Sequence, residues 1–348
     1  MVAVVIDPSL RTSEFFYDLP ESAIAQEPIE PRDAARLLDT RDMHDHRFLD
    51  LPDLLEPGDL VVVNRTKVRA ARLHGVREGT GGRVELLVLG ALEDGTWECL
   101  ARPSRRLRPG VVIEMVEGTA TVETDPDAGR VRVRFEVDGS LEEWFARIGE
   151  VPLPPYFHGT LDSPDRYQTL FAERVGSAAA PTAALHFTPA VVEALEGRGI
   201  AMAQVELVVG LDTFRPIASD RIADHTMHTE RYVVPPEASD AIAATRTRGG
   251  RVVAVGTTVT RTLEATATHG GLVEAGEGAT DLFITPGREW RVVDLIITNF
   301  HVPGSTLIVL VAALLGRRWR EVYAEALARG FRFLSFGDTM LAATGRNP

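Results

Sequence analysis

Three short segments carry side chains that could bind or transform a polar small molecule. Gly256-Thr257-Thr258 joins a glycine, where backbone can approach a ligand, to two hydroxyls ahead of an expected helix that carries Arg261 and Glu264. Backbone N–H groups and hydroxyls at a helix start suit a carboxylate, a ribose or a phosphate. A threonine that merely caps a helix calls for the same residues, so both readings stand. Asn299-Phe300-His301-Val302-Pro303-Gly304-Ser305-Thr306 places an amide and an imidazole after an apolar run, then a Pro-Gly turn and a Ser-Thr helix start. Gly210-Leu211-Asp212-Thr213-Phe214-Arg215-Pro216 follows another apolar run and is a third loop of the same kind.

Histidines add a proton-transfer option. His186 lies beside Phe187 in the segment 180–187, and His225 and His228 sit three residues apart between Asp224 and Glu230. Imidazoles beside carboxylates suit acid–base work or substrate hydrogen bonding. A zinc site would need both histidines on one helix face and further ligands, and a histidine can also simply tie down a loop. Arg102, Arg105, Arg106 and Arg108 crowd four guanidinium groups into seven positions. Their forked donors match phosphate oxygens, while a solvated charged turn is the plainer reading. The chain has no Walker A run, no G-x-G-x-x-G, no G-x-S-x-G and no paired-cysteine motif, which argues against the common nucleotide hydrolases, Rossmann dehydrogenases and serine hydrolases.

The elements that would hold these groups fall into three regions. The first, to about residue 66, has a short helix at 52–55 and a strand at 59–63 that enters through a Pro-Gly turn. The second reads as short strands at 83–89, 96–102, 111–116, 119–123 and 130–137, closed by a helix at 141–148, which is the pattern of a small antiparallel barrel. The third alternates helices at 189–198, 236–248, 259–268, 305–315 and 318–329 with strands at 200–209, 251–256 and 292–300. That rhythm calls for a mostly parallel sheet covered by helices. The expected fold is therefore α/β, a mostly parallel sheet domain with helices over 1–67 and 151–348, interrupted by an inserted small antiparallel β-barrel domain over 68–150. Ligands on such sheets bind beyond the carboxyl ends of the strands, which is where all three loops lie.

Composition narrows the class. The 348 residues are 45% hydrophobic and 25% charged, ordinary for a globular protein and ample for a core. A single cysteine, Cys99, forbids an internal disulfide and points to a reducing compartment. Residues 292–315 are interrupted by Asp294, Asn299, His301, Pro303 and Gly304, so they read as strand, loop and helix, not a membrane span. With no signal-peptide pattern at the start, the expectation is a cytoplasmic protein with no membrane association. The net charge of −13 speaks against a generic nucleic-acid binder. Lys67 is the only lysine; the arginine bias leaves phosphate recognition intact, since guanidinium serves phosphate at least as well.

Taken together, the motifs resemble the S-adenosylmethionine:tRNA ribosyltransferase-isomerases of queuosine synthesis along nearly the whole chain. The matching runs include Phe16-Tyr17-Asp18-Leu19-Pro20, Leu54-Leu55-Glu56-Pro57-Gly58-Asp59-Leu60, Ala71-Arg72-Leu73 and Val151-Pro152-Leu153-Pro154-Pro155-Tyr156. Val255-Gly256-Thr257-Thr258, Thr298-Asn299-Phe300-His301 and Phe336-Gly337-Asp338 are the most specific. The resemblance implies transfer and isomerisation of the ribosyl part of S-adenosylmethionine onto the aminomethyl group of a 7-deazaguanine at the tRNA wobble position. Epoxyqueuosine forms; adenine and methionine leave. S-adenosylmethionine is then a co-substrate, with no further cofactor and no metal, and a monomer is the default state. Carried over residue by residue, donor binding falls on Gly256, Thr257, Thr258, Asn299 and Ser305. His186, His225, His228, Glu230 and His301 become the acid–base candidates. Acceptor contacts fall on Asn64, Lys67, Arg72, Arg102, Arg105, Arg106, Asp212 and Thr213.

Four positions depart from the family pattern. Val208 stands where an imidazole is usual, Asp212 and Ala184 where glycines are usual, and Lys67 where arginine is usual. An imidazole lost and a carboxylate gained alter proton chemistry and acceptor charge preference. A relative that uses S-adenosylmethionine with a small-molecule acceptor, or a non-catalytic binder of tRNA or nucleoside, therefore stays open at this stage.

Overall fold

A computed structural model describes residues 6–159, 161–210 and 216–346. Contacts divide the chain into two compact units. One comprises the chain to Thr66, Pro154–Arg174 and the chain from Ala180; the other comprises Lys67–Leu153 and Val175–Ala179. Among the described residues, no helix is long and apolar enough to cross a membrane.

The larger unit is built on a nine-stranded sheet. In spatial order its strands are Gly276–Thr280, Glu230–Val234, Ala201–Leu207, Leu60–Asn64, Val252–Val255, Leu295–Asn299, Thr339–Ala343, Arg36–Asp39 and His44–Arg47. The four central strands, from Ala201–Leu207 to Leu295–Asn299, are parallel. Their Val- and Ile-rich runs are buried on both faces, as a helix-covered parallel sheet requires. Leu60, Val62, Val252, Ala254 and Ile296 pack on one side with Val259, Leu263 and Ile242 of covering helices. Val61, Val63, Val253, Val255, Leu295 and Ile297 face the other side, against Val191, Leu195 and Phe187.

The sheet extends further than the sequence pattern predicts. Arg36–Asp39, His44–Arg47, Glu230–Val234, Gly276–Thr280 and Thr339–Ala343 add mainly antiparallel edges around the parallel centre. These strands are short, and several are polar or glycine-bearing, so they carry little periodic signal; pairing with an existing strand supplies what propensity does not. One boundary matters for the site. The helix expected at 259–268 is Gly256–Ala265, starting three residues earlier, so Gly256, Thr257 and Thr258 are its first turn. The strand expected at 292–300 shortens to Leu295–Asn299 because Asp294 accepts Val252 N–H and pairs with Arg246 and Arg346.

The smaller unit holds a closed six-stranded barrel in the order Arg130–Val137, Trp97–Arg102, Arg83–Ala91, Arg72–Arg77, Val112–Met115 and Gly118–Val122. Every neighbouring pair is antiparallel. Arg72–Arg77 is the one strand missing from the sequence pattern: its inward positions are Leu73 and Gly75 between Arg and His, which hides the alternation. Gly75 is required there, because a Cβ would lie 2.7 Å from the Glu114 carbonyl oxygen. The helix Leu141–Ile148 plugs the barrel with Trp144 and Phe145, both buried; Phe145 is edge-on to Phe135 and Trp97, and Trp144 is tilted against Phe135. Cys99 is one of the inward residues.

A buried carboxylate anchors the helix that opens at Gly256. Glu264 is fully enclosed, and its oxygens accept the backbone N–H groups of Arg291, Val292 and Val293 at 3.0–3.2 Å, with Arg288 at 3.6 Å. Removing it strands three donors and a guanidinium in the interior. Glu264→Ala should lower the stability read by urea unfolding by about 3 kcal/mol, and Glu264→Gln, which keeps an acceptor, by clearly less.

Candidate active site

The parallel strands deliver their chain ends to one cleft of about 530 Å³, open solvent at its mouth included. Val209 follows the strand Ala201–Leu207; Gly256, Thr257 and Thr258 follow Val252–Val255; Thr298 to Val302 come from the end of Leu295–Asn299. Ala180 to Ala183, Tyr156, Leu334 and Ser335 complete the walls. A cleft beyond the carboxyl ends of parallel strands is where an α/β sheet binds a small ligand.

The capping alternative at Gly256–Thr258 is resolved by the geometry. Val255 is the N-cap and offers no side-chain acceptor, so neither threonine caps the helix. Gly256 has φ +87°, a conformation that favours glycine. Thr258 Oγ1 is buried and has no hydrogen-bond partner among the described residues. An unpartnered hydroxyl beside uncapped N–H groups, in the wall of a cleft, is an arrangement able to receive a ligand oxygen.

Asn299 organises the floor. Its Oδ1 accepts the Thr182 hydroxyl at 2.9 Å; its Nδ2 donates to the Asp338 carbonyl at 3.3 Å and lies 3.5 Å from His186 Nε2. Asn299 thus lines the cleft while its hydrogen bonds go to protein. The Phe336-Gly337-Asp338 segment is fixed from both sides. A Cβ on Gly337 would lie 2.4 Å from the Arg332 carbonyl oxygen, and the Asp338 carboxylate accepts the N–H groups of Arg36 and Arg332. Burial pushes the Asp338 carboxyl above its usual range despite those two bonds. Leu334, in the cleft wall, has φ +69°, a left-handed conformation costly for a branched residue.

Two of the five acid–base candidates are buried neutral imidazoles. Burial lowers His301 to about 3 and His186 to about 4. His301 lines the cleft, with Nε2 3.1 Å from Thr298 Oγ1 and Nδ1 3.3 Å from the Tyr323 hydroxyl. His186 sits behind Asn299, packed on Phe48, and lines a smaller space with Arg32, Arg166, Ser335 and Phe336. Glu230 is buried in an ion pair with Arg261 and accepts the Gly210 N–H at 3.1 Å, beneath the edge that Val209 presents to the cleft. His225 is half-buried, edge-on to Phe283, and lowered by burial and by His228; His228 is exposed. Neither lies among the cleft-lining residues, and among the described residues no three His, Cys, Asp or Glu cluster as metal ligands.

The other expected contacts divide by exposure. Ser305 is fully buried as the cap of the helix Thr306–Leu315, accepting Ile308 N–H and donating to the Val302 carbonyl. Asn64 is also fully buried, bonding the N–H and the carbonyl of Leu207 across to the next strand. Lys67, Arg102, Arg105 and Arg106 are exposed on the smaller unit, and Arg72 lies 3.9 Å from Glu85. Asp212 and Thr213 lie outside the described residues. Of the departures, Ala184 is buried against Phe187 and Val191 in the core, and Val208 uses its backbone N–H on Arg231. Thr182, Thr298 and Tyr17 lie inside matched segments but carry no assigned role in the sequence reading, and Tyr323 and Ser335 were not singled out from sequence. Nothing local marks Tyr323, which arrives from a helix with ordinary amphipathic spacing.

Fold and site together define an α/β protein with an inserted barrel and a cleft at the carboxyl ends of its parallel strands. The family model described as "Queuosine biosynthesis protein" matches residues 12–342, and the chain belongs to that family. The S-adenosylmethionine:tRNA ribosyltransferase-isomerase of Heliobacterium modesticaldum is 51% identical over 343 residues, covering 95% of this chain and 99% of the relative. Those of Symbiobacterium thermophilum and Moorella thermoacetica are each 48% identical with the same coverage. The crystal structure of the S-adenosylmethionine tRNA ribosyltransferase from Thermotoga maritima is 36% identical, covers 94% of this chain and 99% of its own, and superposes with a TM-score of 0.52.

The buried imidazoles set a pH dependence. Their folded pKa values lie below the unfolded value near 6.5, so the unfolded chain binds protons first as pH falls. The stabilisation they provide is complete above about pH 6.5 and is lost as pH drops towards 4 for His186 and 3 for His301. Chemical denaturation at stepped pH should show stability falling by on the order of 1 kcal/mol per unit per group. His186→Phe should flatten the slope between pH 6.5 and 4; an unchanged slope would mean that His186 titrates normally.

Proposed function

We propose that the protein transfers and isomerises the ribosyl moiety of S-adenosylmethionine onto the aminomethyl group of 7-aminomethyl-7-deazaguanine at the tRNA wobble position, releasing adenine and methionine and leaving epoxyqueuosine. The observation that carries this reading is near-full-length identity of 48–51% to three relatives bearing that activity in their names. The same shared name favours tRNA over a small molecule as acceptor. The discontinuous region 1–67 and 151–348 is read as the catalytic domain and 68–150 as the insertion. The protein is taken to act as a cytoplasmic monomer, which sedimentation of the pure protein tests.

The cleft chemistry supports donor binding on Gly256, Thr257 and Thr258. Uncapped N–H groups and the free Thr258 hydroxyl would receive carboxylate or ribose oxygens of the donor. The reaction needs a base for the weakly acidic proton beside the sulfonium and assistance to adenine as it leaves. Because burial holds His301 and His186 neutral, they serve better as hydrogen-bonding groups than as proton acceptors. His225, His228 and Glu230 remain the proposed proton-transfer groups. Exposed Lys67, Arg102, Arg105 and Arg106, with Asp212 and Thr213, are the proposed acceptor contacts. On a chain of net charge −13 they would give tRNA binding that weakens steeply with salt.

Incubation with S-adenosylmethionine should release adenine only when deazaguanine-bearing tRNA is present; equal release without tRNA would remove tRNA as the acceptor. Thr258→Val separates a ligand contact from a structural one. Because the hydroxyl is unpartnered, the ligand-free variant should keep or gain up to about 1 kcal/mol of stability. Its affinity for S-adenosylmethionine, read by calorimetry, should fall about tenfold.

A further inference from the structure

His301 sits in the cleft wall within a set of hydrogen bonds that leaves little freedom for its proton. The Tyr323 hydroxyl accepts the His301 backbone N–H at 3.1 Å and lies 3.3 Å from Nδ1. Tyr323 is buried, and among the described residues Nδ1 is the one acceptor within reach of its hydroxyl proton. If Nδ1 instead carried hydrogen, the Tyr323 oxygen would accept twice and its own proton would be buried without a partner, which is costly. Nδ1 is therefore the acceptor, and the neutral ring carries its hydrogen on Nε2. Tyr17, whose hydroxyl donates to the His301 carbonyl at 2.5 Å, holds the backbone in place.

This assignment fixes the next group in the chain. Nε2 lies 3.1 Å from Thr298 Oγ1, so Nε2–H donates and the threonine oxygen accepts. Thr298 lines the cleft, and its own hydroxyl proton has no protein acceptor among the described residues. We propose that Tyr323 is a positioning residue that locks His301 as the Nε2–H tautomer, so that Thr298 presents its hydroxyl proton to an acceptor atom of the bound nucleoside. The chain runs Tyr323 to His301 to Thr298 to ligand, each member donating to the next and polarising it. A donor aimed at a leaving base strengthens as negative charge develops there, so its effect falls on turnover more than on binding. The inference rests on the reading of this cleft as the donor site. It gives His301 a task that a ring kept neutral by burial can perform at any physiological pH.

Nitrogen NMR of ¹⁵N-histidine-labelled protein tests the tautomer without substrate, with His301 assigned by loss of its signals in His301→Asn. The expected result is a protonated Nε2 and a pyridine-type Nδ1; a protonated Nδ1 overturns the proposal. In Tyr323→Phe, which removes the donor to Nδ1, the pyridine-type Nδ1 signal should move downfield as that nitrogen loses its hydrogen bond, and an unmoved signal would also overturn the proposal. Thr298→Val should lower kcat about tenfold or more while the affinity for S-adenosylmethionine changes by less than about threefold, and Thr298→Ser should restore turnover. Full turnover in Thr298→Val would end the relay. Failure of the native protein to bind S-adenosylmethionine would instead remove the functional reading, and the nitrogen spectrum would still decide the tautomer.

Discussion

The carboxamide of Asn299 is the interaction on which the site depends. It stands at the end of a central parallel strand and bonds two segments far apart in sequence: the short helix Thr182–His186, through both of its end residues, and the Asp338 backbone. Each of those segments supplies or supports a wall of the cleft. An amide is suited to this position because it offers one acceptor and two donors in a fixed plane, and here all three are directed at protein. Buried polar groups joined in this way hold one arrangement, because any other would leave a donor or acceptor unpaired.

Around that hub the cleft combines buried walls with a few uncommitted groups. His186 and His301 are kept neutral by burial, His301 among hydroxyl partners and His186 beside the Asn299 amide, with the nearby Arg332 and Arg32 adding to the lowering of His186. The Glu230–Arg261 pair places full charges nearby, but they are matched to each other. What remains free is small: the Thr258 hydroxyl, the first turn of an uncapped helix, and the hydroxyl proton of Thr298. The left-handed backbone of Leu334 in the same wall is held by its N–H bond to the Phe300 carbonyl, so the strain is maintained by the sheet end itself.

The central architecture was legible from local pattern. Val- and Ile-rich runs bounded by Gly and Pro marked the strands at residues 60 and 252, and helix starts such as Ser305 and Pro189 carried recognised capping residues. The barrel was readable from turn spacing except for Arg72–Arg77, whose inward glycine broke the alternation. Short edge strands escaped because their residues have no strong preference of their own and form strands only through their neighbours' open hydrogen bonds. The glycine-threonine and asparagine-histidine motifs reached the cleft, as their position after strands implied. Ser305 and Asn64 carry residue types equally suited to binding and to structure, and burial directs both to structure.

The sequence by itself determined the periodicities, the turn chemistry and the motifs that follow each strand, because those depend on residues adjacent in the chain. It therefore determined the α/β class, the barrel pattern and the place where a ligand would sit. Tertiary structure alone decided which polar groups are spent and which are free. That outcome depends on partners more than a hundred residues away, such as Thr182 for Asn299, and on how much water each group retains. The ring state of His301 depends in the same way on packing, since Tyr323 reaches it from a separate helix while Thr298 lies three residues before it on the strand. Hydrogen-bond satisfaction is a property of the whole buried network, and no local segment contains enough of that network to determine it.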